Sequence, residues 1–447
     1  MLRKSSAVVL SLLMAGCGGS SDRGGGNETS PGGALSAAAA LGKQLFEDSG
    51  LSAGGQQSCA TCHVAQYAFA ADPTPSGPDH GSPVPLGGPG MDQPGFRNAP
   101  SLMYASFSPD FYFDSDGNPN GGFFRDGRAA NLTEQGQLPF TTSFEMANAD
   151  AAAVIAKLQT RPYLSEFIAL YGAAVLQDPS MALQRMGSAL AAFETESDEF
   201  HPFSSKFDFW QKGQVQLTAQ EQHGFALFNS ATKGNCAACH PSSSADGVTP
   251  ALFTDFSFDN LGLPRNSRIL ANLDSDDGTH LYYDLGICGP FRDNGGRNML
   301  GLCGQFKVPT LRNIAITGPY FHNGQFATLL QAVTFYVQRD TNPEKFYPTS
   351  ADGAVTKFDD LPALYGGLFP VNFNQIGSDL SYVGNVNTLE IPYNRHLGDT
   401  PALDGDEIND LIAFLCTLTD GYDPKTPSAQ SVPTQCQAAV AAYNPKD

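Results

Sequence analysis

Apolar residues recur at helical spacing in several stretches of this 447-residue chain. One runs from Ala37 to Phe46 and ends Leu41-Gly42-Lys43-Gln44-Leu45-Phe46; a similar string, Glu221-Gln222-His223-Gly224-Phe225-Ala226-Leu227-Phe228, comes later. Between Ala151 and Glu196, Leu183, Met186, Leu190 and Phe193 fall a turn apart and predict a helix with one buried face. Near the end, Ile408, Leu411, Ile412, Leu415 and Leu418 predict an amphipathic helix that Asp404 is placed to cap. Strand-type alternation is sparse, so the pattern predicts a mainly α fold.

Polar, Pro- and Gly-rich segments separate these elements. Residues 73–95 and 114–122 read as loops, 241–306 as a longer loop-rich region, and 200–217 as the link between two halves. At the start, Arg3 and Lys4 precede an apolar run from Ala7 to Leu13 and then Met14-Ala15-Gly16-Cys17. This resembles a bacterial lipoprotein signal, with Cys17 lipidated as the mature N-terminus; an ordinary cleaved signal peptide is the alternative. The run is too short to span a bilayer. The Gly/Ser-rich residues 18–35 then form a flexible tether.

Each of the two helix-ending Leu-Phe strings leads into Cys-x-x-Cys-His, first Cys59-Ala60-Thr61-Cys62-His63 and then Cys236-Ala237-Ala238-Cys239-His240. Such a motif attaches c-type haem: the thiols take the two vinyl groups as thioethers, and the histidine turns onto the iron. A lone CxxC would also suit a redox dithiol or half a zinc site, but the histidine follows directly both times. The repeat predicts a duplicated fold of two cytochrome-c-like domains, each binding one covalent haem. The predicted division is 1–17 signal, 18–35 tether, 36–200 N-terminal domain and 201–447 C-terminal domain.

Of nine cysteines, Cys17 and the four haem thiols leave Cys288, Cys303, Cys416 and Cys436. The short separations suggest Cys288–Cys303 and Cys416–Cys436, with three pairings open. Disulfides and haem attachment both point to the periplasmic side of a bacterial membrane. A net charge of −20 argues against nucleic acid as a partner. It fits solubility, and also an anionic surface that steers a cationic electron donor.

Three further segments make the chain resemble the bacterial diheme cytochrome c peroxidases and their relative MauG over residues 37–420. They are Phe96-Arg97-Asn98-Ala99-Pro100-Ser101-Leu102, Asp126 through Gln135 with Glu145-Met146, and Lys307-Val308-Pro309-Thr310-Leu311-Arg312-Asn313 followed by Thr317 through Gly324. The resemblance implies a first haem, on Cys59, Cys62 and His63, that meets hydrogen peroxide. Glu145 is its implied acid/base, Gln135 the polar neighbour and Pro139 a pocket residue. A carboxyl in a dry haem pocket suits this role because desolvation raises its pKa. The second haem, on Cys236, Cys239 and His240, is implied to be six-coordinate through Tyr336. That residue lies on one helical face with Leu329 and Val333. A phenolate ligand lowers the reduction potential relative to a thioether.

By the same resemblance, His80 is a candidate gating ligand of the first iron, or a solvated loop histidine. Asn98, Thr317 and Pro319 are implied ligands of a calcium ion between the haems. The family's usual tryptophan between the haems is replaced by Arg125, which cannot carry a hole and is instead a candidate partner for haem propionates. The only tryptophan is Trp210. The implied activity is reduction of hydrogen peroxide to water, with electrons from a periplasmic donor such as a small cytochrome c or cupredoxin. The alternative is MauG-like oxidation of a partner protein. A diheme electron carrier would need both irons blocked.

Overall fold

The computed structural model describes residues 33–74, 77, 81–244, 246–272, 283–294, 297, 299–361, 382–426 and 433–437. Cys17, most of the tether and His80 lie outside the described residues. The helices are α1 Ala37–Glu47, α2 Cys59–Cys62, α3 Leu132–Gln135, α4 Ala151–Leu158, α5 Leu164–Tyr171, α6 Pro179–Glu196, α7 Lys206–Gln211, α8 Ala219–Asn229, α9 Leu329–Gln338 and α10 Gly405–Cys416. Strands are confined to short antiparallel pairs, such as Leu86–Gly87 with Gln93–Pro94 and Phe258–Asp259 with Phe306–Lys307.

Local chemistry sets the helix starts. Ser36 caps α1 and accepts from the Ala39 N–H, while Asp404 and Glu407 close a capping box on α10. The helical region 151–196 is three helices rather than one. Gly172 takes a left-handed φ of 78° after α5, and Pro179 opens α6 at a first-turn position that tolerates its missing N–H. The segment joining the halves also contains a helix, α7, whose Phe207 is buried.

Two helix crossings anchor the buried cores. α1 packs on α6, and α8 on α10. A Cβ at Gly42 would collide with the Ala189 carbonyl oxygen, and one at Gly224 with that of Asp410, so glycine permits both close approaches. Beside the first crossing, Phe46 meets Phe193 edge-on at 5.7 Å and Phe69 at 6.1 Å. Beside the second, Phe228 meets Phe414 at 5.2 Å and Phe253 at 5.9 Å. One core draws on residues up to Phe200 and the other on residues from Phe207 onward.

Disulfides join Cys288 to Cys303 and Cys416 to Cys436, which selects one of the three pairings. Among the described residues, no helix is long and apolar enough to cross a membrane.

Candidate haem sites

The two Cys-x-x-Cys-His motifs adopt matching arrangements. His63 N–H donates to Cys59 O and His240 N–H to Cys236 O, both at 2.9 Å, which closes a tight turn around each cysteine pair. The His63 Nδ1 lies 2.9 Å from Phe69 O, and the His240 Nδ1 lies 2.8 Å from Phe253 O. A carbonyl only accepts, so Nδ1 carries the proton and Nε2 keeps a free lone pair. Burial lowers the pKa of both imidazoles and favours this neutral form. Phe69 and Phe253 both hold left-handed backbone, at φ 55° and 53°.

The segments facing each histidine also correspond. Ser101 Oγ donates to Ala68 O, and Thr310 Oγ1 to Leu252 O, the residues just before the two phenylalanines. A second pair of loops follows. Phe123 N–H donates to Ala129 O and Tyr320 N–H to Phe326 O, each at 2.8 Å. Phe124 and Phe321, and then Gly127 and Gly324, are left-handed in both loops. Asn131 caps α3 and Thr328 caps α9 after the same number of residues. Carrying this register forward sets Arg125 against His322, Asp126 against Asn323, Gln135 against Ala332, and Pro139 against Tyr336.

One internal cavity is lined by both motifs. Near the first, it brings together Gln135, Pro139 and Glu145. Glu145 N–H donates to Thr142 O, and its carbonyl accepts from Gly88 N–H at 2.9 Å, so the loop around residue 88 fixes its place. Its Oε2 is buried with no hydrogen-bond partner. Burial raises this carboxyl above the ordinary glutamate range, opposed by Arg128 and a hydrogen bond from Thr142.

Near the second motif, Leu329, Val333 and Tyr336 all line the cavity from one face of α9. The Tyr336 ring lies 5.5 Å from Phe321 and 6.0 Å from Tyr393. No protein group among the described residues hydrogen-bonds its hydroxyl, which is unusual for an interior tyrosine. Burial, then the nearby Cys239 and Asp259, raise its pKa, so deprotonation there needs a cation at the oxygen.

Arg125 donates from Nε to Asn98 O at 3.0 Å. The Asn98 side-chain amide contacts Pro319 O directly. Thr317 also lines the cavity, but its hydroxyl is turned toward Ile314 O at 3.5 Å. Asn98 and Pro319 are therefore adjacent oxygen donors once the amide is flipped, while Thr317 has its backbone carbonyl to offer.

One further residue at the cavity escaped the sequence reading. Glu194, on α6, lines it with Oε2 unpartnered, and burial pushes its carboxyl up to about 8. Its signal was a charged residue one turn beyond Leu190 on an otherwise apolar face. His322 stacks on Phe306 at 3.5 Å and stands 3.8 Å from the Asp360 carboxylate. Asp126, fully buried, is clamped by Arg97 at 2.8 Å and Arg128 at 3.2 Å, which pins the loop carrying Arg125.

These features fit two haems. Each half offers a pair of thiols, a histidine with a bare Nε2 and an apolar wall, and the second half adds an unpartnered phenol.

Residues 36–216 match the family model described as di-haem cytochrome c peroxidase. The methylamine utilization protein MauG of Paracoccus denitrificans is 36% identical over 400 residues, spanning 87% of this chain and 90% of that protein. The chain belongs to the di-haem cytochrome c peroxidase family. The cytochrome c peroxidase Ccp of Escherichia coli is 30% identical over 307 residues, 68% of this chain and 54% of that protein. Among solved structures, the diheme peroxidase BthA of Burkholderia thailandensis superposes with a TM-score of 0.72 at 37% identity, covering 88% of this chain and 89% of that one. The chain thus has the diheme peroxidase fold, with helices predominating. It is an oxidoreductase that takes hydrogen peroxide as substrate and uses two haems.

Proposed function

We propose that peroxide is reduced at a covalent haem on Cys59, Cys62 and His63, with the overall balance H2O2 + 2 e⁻ + 2 H⁺ → 2 H2O. A haem held there would supply an iron able to bind peroxide and pass it electrons. Glu145 takes a proton from the entering peroxide and returns one to the departing oxygen, since its buried carboxyl holds a proton at higher pH than a solvated one. Gln135 orients the peroxide by hydrogen bonding, and the Pro139 side chain has no atom that could ligate iron. The observation that carries this reading is the unpartnered Glu145 Oε2 in a cavity shared with His63.

Cys236, Cys239, His240 and Tyr336 would hold a second haem, which would relay or store electrons. The matched loops and helix crossings support two cytochrome-c-like domains, 36–200 and 201–447, arisen by duplication. Asn98, Thr317 and Pro319 would hold a calcium ion between the haems. The leader and disulfides support a periplasmic location with a lipid on Cys17, and electrons come from a small cytochrome c or cupredoxin. His80 is kept as a candidate gating ligand of the first iron, with a solvated loop histidine as the alternative.

Tyr336 also favours MauG-like oxidation of a partner protein, because a phenolate stabilises oxidised iron. Turnover separates the two readings. Steady peroxide consumption with a small-molecule or cytochrome donor is expected, and Glu145→Gln should slow it about 10²- to 10⁴-fold with both haems retained. Wild-type rates in that variant remove Glu145 from the mechanism. Stoichiometric reaction, with modification of a co-purified protein, replaces the first reading with the second.

A further inference from the structure

Several interior arginines among the described residues have carboxylates of their own. Arg97 has Asp126 at 2.8 Å and Asp284 at 2.5 Å, Arg312 has Asp208 at 2.8 Å, and Arg339 has Asp340 at 2.7 Å. The reason is that a desolvated charge without a counter-ion costs about several kcal/mol. Arg125 and Lys307 depart from this pattern: among the described residues, no carboxylate lies within ion-pair reach of either.

The two stand side by side. Lys307 N–H donates to Arg125 O at 2.8 Å, and both side chains line the haem cavity. The Lys307 ammonium donates to Ser108 Oγ and Gly122 O, and lies over the rings of Phe256 and Phe123 at 5.2 and 5.5 Å. An ammonium has three hydrogens, so one is left without a protein acceptor. Arg125 uses Nε on Asn98 O and keeps its terminal N–H groups for another acceptor. Burial pulls Lys307 down to about 7 and Arg125 to about 10, as expected for cations lacking an anion.

The chain therefore delivers two positive groups to its cofactor cavity and supplies no negative group for either. A c-type haem consumes its vinyl groups in attachment but keeps its two propionates, which are the missing anions. We propose that Lys307 is a haem-propionate-binding residue, acting beside Arg125 where the two halves of the chain meet. The proposal rests on the reading that this cavity takes two haems. Lys307 comes from the second half and its acceptors Ser108 and Gly122 from the first, so the ion pair ties the halves together through the cofactor. An ammonium that neutralises a propionate also favours the reduced iron and raises its potential.

The test is spectroelectrochemical titration of both haems in the haem-loaded full chain, wild type beside Lys307→Met and Lys307→Arg, with haem counted per chain. Lys307→Met should lower the potential of at least one haem by a tenfold change in its redox equilibrium, about 59 mV for one electron. Lys307→Arg, which keeps the charge, should shift it less. Unmoved potentials in Lys307→Met with two haems present overturn the proposal and leave the two-haem reading standing, even if thermal stability falls. Should Lys307→Met fail to load haem, the propionate modes in the resonance Raman spectrum of Lys307→Arg decide. A change from wild type is expected, and identical modes overturn the proposal. A wild-type count other than two haems overturns the reading beneath it.

Discussion

The two haem sites, at either end of the shared cavity, are built alike up to their histidines and differently beyond them. Each has a glycine at its helix crossing, a carbonyl that fixes the histidine tautomer and a left-handed loop leading into a capped helix. At matching positions, however, the first has Pro139 where the second has Tyr336, and Gln135 where the second has Ala332. The crossings extend the contrast: Phe193 and Phe414 lie against the matching glycines, so Glu194 matches Leu415, the next residue along. One site thus holds uncharged or protonatable polar groups around a residue whose side chain cannot bind iron. The other holds apolar walls around a phenol that can. On the proposed reading, a handful of side chains would turn this shared frame to reaction in one half and close it in the other.

The largest effect should come from erasing the phenol. In Tyr336→Met, the second haem's potential should rise by on the order of 100 mV, within the roughly 0.8 V that axial ligands span, with the first haem unmoved. Redox titration with both haems resolved checks this, and an unchanged second potential would show that Tyr336 is only a core residue.

The likeness of the frames can be tested at the crossings. Gly42→Ala and Gly224→Ala each drive a methyl into a backbone carbonyl that cannot rotate away. Each should cost about 1–3 kcal/mol in denaturant unfolding. A large cost in one half and none in the other would show that the two crossings are not equivalent.

Glu194→Leu copies the second site into the first and should act through pH. Folded Glu194 keeps its proton up to about 8, whereas an unfolded glutamate loses it near the ordinary 4.5. Between those values the unfolded state binds fewer protons, so wild-type stability falls as pH rises. The advantage of Glu194→Leu should therefore grow by about 1.4 kcal/mol per pH unit across this window and level off outside it. Parallel stability profiles for the two proteins would mean that Glu194 is ionised, or solvated, in the folded state.

Much of this was legible in the chain. The helices around Ala37–Phe46 and Ile408–Leu418 follow from periodicity, because a helix buries one stripe and the stripe is written in the sequence, and the helix around Glu221–Phe228 follows from its likeness to the first. The haem motifs are contiguous, so their chemistry is local and readable at sight. The break of 151–196 into three helices falls at Pro162, between α4 and α5, and at Gly172 and Pro179, between α5 and α6, where backbone preferences outweigh the apolar pattern.

The sequence by itself determined the helical elements, the two thiol-histidine motifs and the composition of a family of peroxide enzymes. Only the tertiary structure decided which disulfides close, which buried acids lack partners and which cations lack anions. Those are statements about what stands opposite a residue rather than what lies next to it. Lys307 and Ser108 are 199 positions apart, and Arg312 and Asp208 are 104 apart. Burial and pairing are set by such long-range neighbours, so a buried glutamate and a solvated one look the same until the chain has folded.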